Sequence, residues 1–109
     1  MTTVKIKTQQ NSIVQIECIG HVGYKKNGDD IVCAALSTIV QTALLGLEKV
    51  AKVKYEYTKN DKEGYLKAKL IDNLDATERH DCDLILDTML EGIKDMQDGY
   101  PKFIKLEVE

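Results

Sequence analysis

The chain has 109 residues, a length for one domain, and its 43% hydrophobic and 30% charged residues exclude a disordered polymer. Its formal net charge is −3, and its lysines alternate with acids instead of gathering into a basic stripe, which excludes a direct nucleic-acid footprint.

In "TVKIKT", Val4 and Ile6 alternate with lysines and predict a half-buried strand. "QQN" supplies a turn. "SIVQIECI" predicts a second strand, with Val14, Ile16 and Cys18 on one face and Gln15 and Glu17 opposite, so the two form a hairpin. From Asp30 to Leu47 there is no charge after the aspartate and no proline. This run is too long for a strand and rich in Ala and Leu, which predicts a helix of about 18–20 residues. "AKVKYEYT" and "YLKAKLI" alternate on either side of "NDKEG" and predict a second hairpin. Val53, Tyr55 and Tyr57 share one face of its first strand, and Leu66, Ala68 and Leu70 one face of its second.

Asp75 and Glu78 have capping-box spacing. Cys82, Ile85, Leu86, Met89, Leu90, Ile93 and Met96 then recur at helical period, until Gly99 and Pro101 stop the helix. "KFIKLEV" predicts a last strand with Ile104, Leu106 and Val108 on one face. The order is β-β-α-β-β-α-β. The expected fold is therefore a single two-layer α+β domain spanning residues 1–109, with a mostly antiparallel sheet and two helices packed on one face.

The first helix is apolar nearly all round, so it is either sunk in the layer or shared with a second copy of the chain. A membrane span is not expected, because the run is near the lower length limit and contains Ser37, Thr38, Gln41 and Thr42. The start, "MTTVKIKTQQ", lacks the apolar core of a signal peptide. Cys18, Cys33 and Cys82 are an odd number without CxxC spacing. They argue against a disulfide framework or a metal site and for a reducing cytoplasm. No cofactor is expected.

The chemistry concentrates in "GHVGYKKNGDDIVCAALS", residues 20–37. Gly20 and His21 end the second strand. Asp29 and Asp30 open the first helix, where an aspartate is a good N-cap. With Asp30 as the cap, Cys33 is the third helical residue, close to free backbone N–H groups and the positive end of the helix dipole. The helix end alone contributes about 0.3–2 kcal/mol. A populated thiolate therefore needs a further cation, and His21 can supply it as an imidazolium. The plainer reading is a small core cysteine, the natural one for Cys18 and Cys82. For Cys33, spacing leaves both readings open. Likewise, Gly23 and Gly28 can serve turn geometry alone, and Asp30 can cap the helix alone. His80, in "TERHD", is expected to be a solvated helix residue.

The run Gly20, His21, Gly28, Asp30, Ile31, Val32, Cys33, Ala34, Ala35, Ser37 closely resembles the signature of the ribosomal-processing cysteine proteases, the Prp family. The length, the element order and "DGYP" at 98–101 fit as well. The resemblance implies a cysteine endopeptidase that removes the N-terminal extension of bacterial large-subunit ribosomal protein twenty-seven. That extension ends in an apolar, aromatic-rich stretch before a small residue. It further implies Cys33 as nucleophile, His21 as general base, supporting roles for Gly20, Asp30 and Ser37, a homodimer, and a mobile loop carrying Gly23, Tyr24 and Gly28. Two rivals stand beside it. One is a non-catalytic ribosome-associated binding module. The other is a different thiol enzyme, such as an acyl transferase or a redox sensor.

Overall fold

The computed structural model describes residues 1–20, 27–60, 62 and 64–109, with 27–30 as helical backbone. The elements follow the expected order. They are β1 (Thr2–Gln9), β2 (Ser12–Ile19), α1 (Asn27–Leu45), β3 (Tyr55–Asn60), β4 (Tyr65–Leu70), α2 (Ala76–Gly99) and β5 (Ile104–Val108). Five strands form one sheet in the order β3-β4-β2-β1-β5. All pairs are antiparallel except β1 with β5, which is parallel; α2 carries the chain from β4 across the sheet to β5.

The hairpin of β1 and β2 turns at Gln10 (φ 52°) and Asn11 (φ 67°). Two successive positive φ values make the tight turn whose twist matches the flanking strands. Its register then shifts: Lys7 pairs with Gln15, while Thr8 pairs with Ile13. Val14 is the extra residue of a β-bulge. This corrects the simple alternation expected for β2, because the bulge turns Ile13 and Ile16 together into the core and leaves Val14 half-buried.

On the helix side of the sheet, Val4, Ile6, Leu66, Ala68, Leu70 and Ile104 join one core with residues of both helices. From α2 come Cys82, Leu86, Met89 and Ile93, at the expected spacing. The Asp75 carboxylate accepts from the Glu78 N–H at 2.8 Å, and the Glu78 carboxylate accepts from the Asp75 N–H at 3.0 Å, so the capping box is complete. The Ser12 hydroxyl donates to Asp83 of α2 at 3.2 Å and ties the hairpin to that helix.

From α1 come Val32, Leu36, Val40, Ala43 and Leu44. The helix continues into one wider π-turn, Gly46–Val50, which buries Leu47. By length and composition Ile31–Val50 could cross a membrane. Here the run lies in the helix layer, with one face against the sheet and with Ile31, Leu45 and Val50 exposed. On β5, Ile104 is buried but Val108, expected on the same apolar face, is half exposed at the strand end.

Candidate active site

The end of β2, the first half of α1 and the β3–β4 hairpin enclose a cavity of about 300 Å³. Cys33, Ser37 and Gln41 form its helical wall. They are spaced i, i+4, i+8, so one face of α1 presents all three. Cys18 and Gly20 line it from β2, and Lys59 from β3.

Gly20 has a structural reason to be glycine. Its φ is +91°, and a Cβ there would stand 2.8 Å from the Met1 carbonyl oxygen. Its own carbonyl accepts from the Thr2 hydroxyl at 2.9 Å. The start of β1 thus clamps the end of β2 at the cavity wall, in a conformation that side chains rarely adopt.

The three cysteines are not equivalent. Cys82 is fully buried, and burial raises its pKa. Cys18 is pushed up to about 12, first by burial, then by the charges of Cys33 and Glu17. Cys33 is half-buried on the cavity wall. Tyr65, which also lines the cavity, donates its hydroxyl to the Glu17 carboxylate, and this bond raises the tyrosine pKa.

Several expected site residues are placed and others are not. Gly20, Cys33 and Ser37 meet at one cavity. His21, Gly23 and Tyr24 lie outside the described residues, and Gly28 and Asp30 belong to the helical backbone. The start of α1 departs from expectation. It begins at Asn27, so Asp30 is inside the first turn rather than capping it, and Cys33 is the seventh helical residue rather than the third. Unsatisfied N–H groups and the dipole's field fade within the first turn. The helix end therefore does less for the sulfur than the sequence suggested, and a cation from elsewhere matters more. Sequence reasoning missed Cys18, Gln41 and Lys59 as cavity residues. Gln41 carried a usable signal, being a polar residue four after Ser37 on an otherwise apolar helix. Among the described residues, no cluster of His, Cys, Asp and Glu could hold a metal ion.

The family model described as cysteine protease Prp matches residues 1–105. The crystal structure of SMU.848 from Streptococcus mutans is similar, with 25% identity, a TM-score of 0.89, and coverage of 99% of this chain and 93% of that one. The essential ribosomal processing protease Prp from S. aureus, in complex with a substrate peptide, is 23% identical with a TM-score of 0.87, over 100% of both chains. The same protease with a covalently linked product peptide is 24% identical with a TM-score of 0.86, again over 100% of both chains. The likeness to these last two speaks for the fold. No curated protein sequence matches the chain.

Proposed function

Because the chain belongs to the cysteine protease Prp family, we propose that it is the endopeptidase that removes the N-terminal extension of bacterial large-subunit ribosomal protein twenty-seven. Cys33 is the nucleophile and His21 the general base. The observation that carries Cys33 is its place among the three cysteines. It is half-buried on the wall of a cavity with Ser37, whereas Cys82 is sealed in the core and the Cys18 thiol is held protonated up to about pH 12. His21 follows Gly20, a residue of the same wall, directly in the chain.

The chemistry is acyl transfer in two steps. His21 takes the thiol proton, and the Cys33 sulfur attacks the scissile carbonyl carbon. The protonated imidazole gives its proton to the leaving amine as the C–N bond breaks, leaving a thioester on Cys33. Water, deprotonated by His21, then cleaves the thioester and restores the thiol. Ser37 and Gln41, one and two turns beyond Cys33, present polar groups that can bind backbone of an extended substrate along the cavity. Asp30 either orients His21 or strengthens the helix start electrostatically.

The enzyme works in the cytoplasm without a cofactor, away from membranes and without direct nucleic-acid contact. It acts as a homodimer in which part of α1 is covered. The exposed Ile31 and Leu45 support that association, since large apolar side chains left uncovered along a helix favour a partner. Light scattering at micromolar concentration is expected to give a mass near twice 12.3 kDa. The direct test of function is incubation with the extended ribosomal protein precursor and mass spectrometry of the products. One cut at the end of the extension is expected. An intact precursor would return the chain to the class of binding modules.

A further inference from the structure

Gln41 lines the cavity that holds Cys33. The Gln41 side-chain amide donates to the Tyr57 hydroxyl at 3.2 Å. Tyr57 in turn lines a second depression, about 560 Å³, together with Tyr55, Val53, Glu48, Lys52 and Lys54. β3 is the edge strand there. Its Tyr55, Tyr57 and Lys59 stand opposite Leu70, Ala68 and Leu66 and so share the helix side of the strand. Lys59 lines the cavity that holds Cys33, while Tyr57 and Tyr55 line the second depression. The two tyrosine rings meet edge to face with centroids 6.2 Å apart, and Tyr57 is 43% exposed.

We propose that these two depressions are one substrate track, and that Tyr57, with Tyr55 beside it, forms a subsite for an apolar side chain two to four residues from the cleaved bond. This rests on the protease reading above. The spacing follows from strand geometry. Same-side residues of a strand are about 6.6–6.8 Å apart, so Tyr57 and Tyr55 lie one and two such steps from Lys59. A substrate lying extended beside β3 advances at the same rate. With its scissile carbonyl in the cavity that Cys33 and Lys59 share, and level with Lys59, side chains two and four residues away would reach the rings. A large ring with an exposed face selects an apolar or aromatic partner, whose contact adds to simple burial. Between the two depressions the Gln41 amide meets the Tyr57 hydroxyl, while the ring face stays open to substrate.

The test uses the uncleaved extension peptide of the ribosomal protein. It is compared with the same peptide carrying alanine at every apolar position two to four residues from the cleaved bond. For Tyr57→Ala, KM on the natural peptide should rise about tenfold while kcat stays within about twofold, the pattern of lost ground-state binding. On the alanine peptide, wild type and Tyr57→Ala should share one KM. Tyr57→Phe, which keeps the ring and loses only the hydroxyl, should remain near wild type on the natural peptide. Equal KM values for wild type and Tyr57→Ala on the natural peptide, or an equal loss on both peptides, would overturn the subsite alone. Wild-type failure to cut the natural peptide would overturn the protease reading and the subsite with it.

Discussion

The two helices share a layer but divide its labour. α2 has a complete capping box and one apolar stripe, and its outward faces are charged. It resembles a helix selected for stability alone. α1 has three working faces. Val32, Leu36 and Val40 enter the core, Cys33, Ser37 and Gln41 line a cavity, and Ile31 and Leu45 remain uncovered. A helix that serves a core, a cavity and a flank at once cannot keep a simple amphipathic pattern, which is why its sequence is apolar nearly all round. The difference separates substitutions that should remove chemistry from those that should remove stability.

The largest expected effect is on the α1 cavity face. Cys33→Ala should lower kcat by about 10⁴-fold or more, as losing a nucleophile does in thiol and serine enzymes. Its melting temperature should stay close to wild type, because the side chain is half-buried and already small. On α2 the pattern should reverse. Ile93 is fully buried, and Ile93→Ala should cost about 2–5 kcal/mol of stability in denaturant titration. The folded fraction should still cut at the wild-type rate.

Beneath the cavity, Cys18 offers a pH test. Its folded-state pKa, about 12, lies above its ordinary value of 9.0. Below pH 9 both states keep the thiol proton, and the neutral thiol's preference for the folded interior is fully present. Between about 9 and 12 only the unfolded thiol ionises, so stability is lost as pH rises. Cys18→Ala should flatten that alkaline decline in a series of denaturant titrations. A decline of unchanged steepness would assign it to other groups. The smallest effect is expected at the α2 cap. Asp75→Ala removes the acceptor of the Glu78 N–H and should cost about 0.5–2 kcal/mol, with cleavage unaffected.

What the sequence made legible was local. Alternation and helical period located the elements in order, and Asp75 with Glu78 marked the start of α2 because a cap is a contact across three residues. The bulge at Val14 was hidden, because an extra residue shows only in how one strand pairs with the next. The start of α1 was misplaced by four residues because Asp30 is a good cap by type, whereas the backbone is already helical from Asn27. In the site, Gly20, Cys33 and Ser37 were found together because one short segment carries them. Lys59 and Tyr57 were not, because they arrive from β3 through sheet pairing distant in sequence. Gly20 was picked out as a site residue, yet the reason it must be glycine, the Met1 carbonyl that a Cβ would strike, lies 19 residues back.

The central claim is that the Cys33 sulfur forms the bond to substrate. Acid quenching during turnover of the extended precursor, followed by proteolytic mapping and mass spectrometry, tests this most directly. An acyl group in thioester linkage to Cys33 is expected, absent from Cys33→Ala and reduced in His21→Ala. An adduct on Cys18, or continued cleavage by Cys33→Ala, would contradict it.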